Sequence, residues 1–375
     1  MARILAALSG GVDSSVAAAL LVAQGHEVVA VSLQLSDESR GGAVSRCCSA
    51  ADIHDARRVA GHLGIPHYVL NEEDLFDREV VTPFANGYRA GRTPNPCVAC
   101  NSRLKFGSLL SIARSIGADR VATGHYARLV PDPATGRGRI LRGRDREKDQ
   151  SYFLFDLDEA QRDAALFPMG ERTKAEAYRL AESFELPVAG KPESQDLCFI
   201  PGGDVAGWLA DRLGPAREGD IRHVDGRLLG RHGGIREVTI GQRRGLGVSG
   251  RRPLHVVAVE AATDTVVVGE REHLLSCGLV ARGVRLHDAR LQEGAFRAEA
   301  RIRHRHPGAA AEVKPGGDGQ WEVRFDEPQW AVTPGQAVVF YDGDLLLGGG
   351  WIDGPLVESS RPAPVECGVS RGERA

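Results

Sequence analysis

Seven residues, Ser9-Gly10-Gly11-Val12-Asp13-Ser14-Ser15, restrict this chain more than any other stretch. They follow a short apolar run, Arg3–Leu8, and open a segment of helical spacing, Asp13–Gln24, that Gly25 ends. Two glycines allow a tight turn in which successive backbone N–H groups point at one anion. Ser14 and Ser15 add hydroxyl donors, and the helix N-terminus adds a favourable dipole. The loop lacks the Lys-Ser/Thr of a Walker A sequence and the G-x-G-x-x-G spacing of a dinucleotide fingerprint. The plain alternative is a glycine-rich βα turn capped by Ser or Asp, which many folds contain.

The alternation continues beyond the loop. Glu27–Leu33 is apolar and β-branched, Ser49–Leu63 has helical spacing ended by Gly64, and Pro66–Leu70 reads as a strand. A helix from Glu73 to Tyr88, an amphipathic segment Ser102–Ile116 and a strand-like Arg120–Thr123 follow. This βαβα order implies an α/β fold with a doubly wound parallel sheet, whose ligands bind at the carboxyl ends of the strands. Past Gly202 glycine becomes frequent and short β segments appear, Val256–Val259 and Thr265–Val268 among them. Ala295–Arg303, Ala310–Val313, Trp321–Phe325, Ala337–Tyr341 and Leu345–Ile352 then alternate as strands of a small barrel or sandwich. The 375 residues suit about 2.5 domains. The reading is a catalytic α/β domain over 1–205, a small central domain over 206–275, a C-terminal β-barrel over 276–357 and a disordered tail over 358–375.

A hydrophobic fraction of 42% excludes disorder as the main state. No run of 18 apolar residues appears, which excludes a membrane-spanning helix. The apolar stretch Ile4–Leu8 is too short for an export signal, so a core strand and a cytoplasmic location are expected. A net charge of −3 gives no global attraction to nucleic acid, so such contacts must come from local patches. Arg137, Arg139, Arg142, Arg144, Arg146 and Lys148 form one, although Asp145 and Glu147 interrupt it as on a solvated face. Arg301, Arg303 and Arg305 share one face if their segment is a strand. Arg243-Arg244 is a third contact or a turn.

Seven cysteines are an odd number in a chain without an export signal. That argues against a disulfide framework and leaves metal or catalytic use open. Cys97 and Cys100 form a C-x-x-C within TPNPCVACN, compatible with half a zinc site, a redox pair or chance. Zinc lacks two further ligands, since Cys47-Cys48 are adjacent and no H-x₃₋₅-H follows. The two prolines put the motif in a rigid turn just ahead of the Ser102–Ile116 helix, where a thiol gains thiolate character. Cys198, alone, would be an ordinary buried cysteine.

Taken in order, SGGVDSS, TPNPCVACNSRLKF, TGHYA (Thr123–Ala127), KDQSYFL (Lys148–Leu154), SQDLCF and TIGQRRGLG (Thr239–Gly247) resemble the tRNA-specific 2-thiouridylases, members of the PP-loop ATP pyrophosphatase superfamily. The resemblance covers residues 4 to about 350. It implies ATP-dependent adenylation of the C2 oxygen of a tRNA wobble uridine, followed by sulfur transfer from a cysteine persulfide. It implies that Ala7, Leu8, Ser9, Gly10, Gly11, Val12, Asp13 and Ser14 bind ATP, that Leu33 packs on the adenine and that Gly124 lies against the nucleotide. Asp13 is then a Mg²⁺ ligand or only a helix cap. Cys100 would be the nucleophile and Cys198 the persulfide carrier, passing through a disulfide. Asn95, Pro96 and Cys97 would face the target base. His125, Lys148, Asp149, Gln150, Arg303, His304 and Gln336 would touch the tRNA. Implied partners are tRNA and a sulfur donor fed by a cysteine desulfurase; the free chain is expected to be a monomer away from membranes. Cys97 stands where some members carry Asp. With Cys100 and Cys198 it leaves an iron–sulfur cluster open as an alternative. An amidating ATP pyrophosphatase would lack the Cys100/Cys198 pair and needs an ammonia source. A non-catalytic tRNA-binding or sulfur-carrier module would not need the intact loop and both thiols.

Overall fold

Arg3–Ala7 forms β1 because its apolar side chains face helices on both sides of a parallel sheet, where strands read as continuous hydrophobic runs. In the computed structural model, residues 1–35, 49–193 and 197–356 are described. Cys47-Cys48, Ser194–Asp196 and the tail expected to be disordered lie outside them. The chain divides into two compact units, one of residues 1–82, 96–204 and 344–346, the other of 83–95, 205–343 and 347 onward. Among the described residues no helix is long and apolar enough to cross a membrane.

In the first unit β1 is followed by α1 (Val12–Ala23), β2 (Glu27–Gln34), α2 (Ala50–Leu63), β3 (His67–Asn71) and α3 (Glu73–Phe76). A π-helical stretch, Asp77–Val81, continues α3 into α4 (Thr82–Arg89), which belongs to the second unit from Pro83 on. Next come α5 (Pro96–Ala99), a second π-helical stretch over Cys100–Ser108, α6 (Leu109–Ser115) and β4 (Arg120–Ala122). The hairpin β5 (Ala127–Pro131) and β6 (Gly138–Arg142), α7 (Glu159–Ala164), β7 (Ala165–Leu166) and α8 (Lys174–Ser183) complete it. The sheet order is β3-β2-β1-β4-β7, all pairs parallel. Val16, Ala17, Ala18 and Leu21 of α1 pack with Ile4 and Ala6 of β1 and with Ala177 and Ala181 of α8. The small alanines let helix and sheet approach closely. Ser49 and Asp52 make a capping box at α2, and Gly64 closes that helix in the left-handed region (φ 66°).

The expected helix Ser102–Ile116 in fact begins at Pro96, whose fixed φ suits a first helical position. The cysteine motif is therefore helical, not a turn before the helix. Cys97 occupies the second position, whereas Cys100 lies a full turn inside, where the effect of the helix dipole fades.

The second unit contains α9 (Val205–Leu213) and a four-stranded sheet of β8 (Gly219–His223), β9 (Leu228–His232), β10 (His255–Glu260) and β11 (Thr265–Gly269), ordered β10-β11-β8-β9. Ile221, Val256, Val266 and Val268 fill its core. Beyond it lie β12 (Leu275–Leu286), β13 (Phe296–Arg301), β14 (Ala309–Pro315), β15 (Gln320–Trp330), β16 (Ala337–Asp342) and β17 (Leu345–Pro355). β12 pairs with both β15 and β17, closing six strands into a barrel without free edges. Ala300, Ala311, Val313, Val338 and Phe340 line its interior. Cys277 on β12 is disulfide-bonded, which the odd cysteine count did not lead us to expect.

One strand ends early. Ala295–Arg303 was expected, but β13 stops at Arg301 and Arg303–Arg305 lie in a bend and turn. The Arg301 guanidinium donates to the carbonyls of His304 (3.0 Å) and His306 (2.7 Å), tying the turn, and Pro307 cannot supply a ladder donor. The expected common face of Arg301, Arg303 and Arg305 is therefore not formed.

Candidate functional site

The turn after β1 is set before any ligand arrives. Gly10 has φ +70°, and a Cβ there would sit 2.2 Å from the Asp52 carbonyl oxygen, so the position admits only glycine. Ser9 N–H donates to Ser14 Oγ (3.2 Å), while the Ser14 and Ser15 hydroxyls donate to the Gly11 carbonyl (3.2 and 2.7 Å). Lys191 Nζ props the loop from outside, donating to the Gly10 carbonyl (3.1 Å), Asp52 (2.7 Å) and Asp55 (2.8 Å). Burial opposes the Lys191 charge, but those two carboxylates outweigh it and hold its pKa above the ordinary value. Gly11 caps α1 without a side-chain hydrogen bond, so the first amides of the helix are left to a ligand.

The turn after β4 meets this loop. A Cβ on Gly124 would lie 2.6 Å from the Ser14 amide nitrogen, so Gly124 rests its backbone on the start of α1. β1 and β4 are the neighbours at which strand order reverses, the place where α/β sheets bind ligands. A cavity of about 310 Å³ opens there, within the range of small-ligand sites. Ala7, Leu8, Ser9, Asp13 and Ser14 line it from the first loop, Leu33 and Leu35 from the end of β2, and Thr123, Gly124 and His125 from the β4 loop. Pro96, Cys97, Cys100 and Lys105 enter from the α5 helix and its π-helical continuation, and Gln150, Leu197 and Cys198 close it. The Phe199 ring packs edge-on against Phe76 (5.7 Å between centroids), anchoring the segment that carries Cys198. Cys100 and Cys198, 98 positions apart in the sequence, thus share one cavity with the loop after β1, and both stand outside any disulfide. Within the expected nucleotide-binding loop, the Val12 side chain packs into the core.

Charges around the cavity are largely neutralised. Both Asp13 oxygens receive Lys174 Nζ (2.8 and 2.7 Å), and Oδ1 also accepts from the Tyr126 hydroxyl (2.7 Å). Burial and Asp13 hold the Tyr126 phenol far above its ordinary pKa. This arrangement does not fit Asp13 as an open magnesium ligand. Nor is any group of three or more His, Cys, Asp or Glu among the described residues placed to hold a metal ion, so Cys97, Cys100 and Cys198 do not fit an iron–sulfur cluster as they stand. His125 is buried between Phe106 and Phe167, with Nδ1 2.7 Å from Thr123 Oγ1. Burial, then the Lys105 charge, push its pKa well below the ordinary value, so it is a neutral imidazole at pH 7. Such a wall suits a nucleobase better than a phosphate.

The remaining expected tRNA contacts fall in several places. Gln150 lines the cavity and accepts from Tyr126 N–H (3.0 Å). Lys148 donates to Glu193 (2.6 Å), a bond that raises its pKa. Asp149 is buried, and its carboxylate accepts from Gly143 N–H, Ser151 N–H and the Ser151 hydroxyl; it organises a turn and does not face outward. Asn95, Arg303, His304 and Gln336 belong to the second unit. There Gln336 donates to the Thr93 carbonyl (2.8 Å), and Arg303 stacks over Trp330 (6.0 Å) while donating to its carbonyl (3.2 Å). In the first unit Arg137, Arg139, Arg144, Arg146 and Lys148 form ion pairs with Glu159, Asp132, Glu176, Asp344 and Glu193. Lys105, Tyr126, Lys174 and Lys191 shape the site without having been singled out in the sequence. Tyr126, Lys174 and Lys191 meet Asp13, Asp52 and Asp55 from far away along the chain, and no spacing rule marks them.

Comparison with known proteins covers nearly all of the chain. Residues 2–202 match the model of a tRNA methyl transferase HUP domain, 207–270 a tRNA methyl transferase PRC-barrel domain, and 276–352 an aminomethyltransferase β-barrel domain. A tRNA-specific 2-thiouridylase MnmA of Solibacter usitatus is 49% identical over 366 residues, 93% of this chain and 99% of that protein. The one from Geotalea uraniireducens is 49% identical, over 94% of this chain and 95% of its own length. That of Syntrophotalea carbinolica is 50% identical, over 93% and 98%.

Proposed function

The chain belongs to the tRNA-specific 2-thiouridylase family, and from that premise we propose how its cavity carries out ATP-dependent thiolation of uridine at the wobble position of tRNA. The observation that carries the proposal is that Cys100 and Cys198 line one cavity with the phosphate loop.

The C2 oxygen of uridine is a poor leaving group. ATP bound along Ala7–Ser14, its adenine against Leu33, transfers AMP to that oxygen and releases pyrophosphate. The amides at the start of α1 stabilise the charge that develops on the phosphates. Magnesium accompanies the triphosphate; no residue of this chain is assigned to it. The base reaches the cavity unstacked, as a loop nucleotide can, and the neutral His125 and the Gln150 amide meet it there. Cys198 carries a persulfide supplied by a donor protein. Its terminal sulfur attacks C2, AMP departs with the oxygen, and the Cys100 thiolate then attacks Cys198 Sγ. The S–S bond to the transferred sulfur breaks, 2-thiouridine is released and a Cys100–Cys198 disulfide forms. A thiol reductant returns both cysteines to thiols.

Cys100→Ser and Cys198→Ser are each expected to abolish thiolation while ATP binding survives. Retardation of tRNA on a mercury gel, after incubation with ATP and a sulfur donor, reads the first, and calorimetric titration with ATP reads the second. Full thiolation by either variant removes that cysteine from the mechanism.

A further inference from the structure

The π-helical stretch Cys100–Ser108 has a geometric consequence for the cavity. Each residue of an α-helix turns it by about 100°, so a side chain five positions beyond Cys100 would point roughly 140° away. The i→i+5 bonding of a π-helix widens the turn and brings the fifth residue back toward the same side. Here Leu104, the α-helical neighbour of Cys100, is fully buried in the core, whereas Cys100 and Lys105 both line the cavity.

Lys105 carries the one positive charge among the described lining residues. Asp13 is matched by Lys174, His125 is neutral, and Leu8, Val31, Leu33, Leu35 and Val80 make much of the wall apolar. An ammonium in a cavity with apolar walls favours the charged form of an acid beside it, because the low local dielectric lengthens its reach. The same charge acts with burial to hold the His125 pKa down. The same helical stretch sets the sulfur of Cys100 on that cavity. Cys100 lies beyond the first turn, where the helix N-terminus activates a thiol little, whereas a neighbouring cation lowers a thiol pKa.

We propose that Lys105 is a positioning residue that holds Cys100 as a thiolate, and that the π-helical register exists to bring the two together. The proposal rests on Cys100 as the nucleophile of the preceding section.

The test is alkylation of the full-length chain by iodoacetamide from pH 5.5 to 9, without ATP or tRNA. Mass spectrometry follows Cys100, and fragmentation separates it from Cys97. In the wild type the Cys100 rate should rise with an apparent midpoint below the ordinary thiol value of about 8.5. Lys105→Met should move that midpoint up by about one unit, a roughly tenfold slower reaction at pH 7, since one unit is tenfold in thiolate. Lys105→Arg should restore the wild-type profile, and Lys105→Gln replaces the Met variant if the latter melts early. Superimposable wild-type and Met profiles overturn the proposal. An unchanged profile with a raised KM for tRNA alone also overturns it, and assigns Lys105 to a tRNA phosphate. Active Cys100→Ser would sink the mechanism above, yet the alkylation profile would still decide what Lys105 does to the thiol.

Discussion

A methyl group at position 124 would meet the Ser14 amide nitrogen at 2.6 Å and the Asp13 carbonyl carbon at 2.8 Å, both backbone atoms with no rotamer to yield. The crowding falls on the first turn of α1, whose amides we propose face the triphosphate. Overpacking of this kind costs about 1–3 kcal/mol, and here it is spent on displacing the loop that binds. Gly124→Ala should therefore weaken ATP binding at least tenfold while the melting midpoint moves by only a few degrees. Calorimetry and a thermal melt check the pair. Unchanged ATP affinity would mean that the two turns separate freely. Lys191 acts on the same loop from the other side, through the Gly10 carbonyl. Its role was not legible in the sequence because its partners lie about 140 and 180 residues away along the chain.

At the scale of elements, the sequence was most legible where local rules and burial agree. The loop at Ser9–Gly11, the capping residue Ser49 and the terminator Gly64 stand where their chemistry predicts. It was least legible where one side chain overrides periodicity. Arg301 ends β13 by wrapping its own turn, and the π-helical stretch moves Lys105 to where a period of 3.6 would put Leu104. The β5–β6 hairpin with its following turn shows a third case, since charge alone does not say whether arginines face RNA or carboxylates. Arg137 and Arg144 pair with Glu159 and Glu176, with side chains more than half exposed. Pairs of that kind contribute about 0–1 kcal/mol and exchange readily for phosphate. Arg137→Gln with Arg144→Gln should leave the melting midpoint within about 2 °C. The same pair should lower the slope of log affinity for tRNA against log salt by roughly 1.5, near 0.7 to 0.9 per lost phosphate contact. An unchanged slope returns this hairpin to a solvated face.

Across the whole molecule, His67, His125 and His306 among the described residues share one physical condition. His67 and His125 in the first unit and His306 in the second are all pushed below the ordinary value chiefly by burial, with Arg57, Lys105 and Arg303 adding to it. The folded chain therefore resists protonation at these sites while the unfolded chain takes up protons below about pH 6.5. Between those limits the unfolded state binds more protons, so stability falls as pH falls, by up to about 1.4 kcal/mol per pH unit for each such histidine. The depressed carboxylates, Asp225 at about 2 among them, matter only in far more acidic solution and do not mask the effect. The melting midpoint should hold steady from pH 8 to 7 and then drop by several degrees between pH 6.5 and 5. His125→Asn removes the one pushed furthest below its ordinary value and should flatten that drop, at some constant cost from the lost bond to Thr123. A midpoint independent of pH down to 5, or a variant as steep as the parent, would show that the His125 cavity wall takes up a proton as easily as open chain does. In that event the neutral imidazole assigned to the base-binding wall would have to be given up as well.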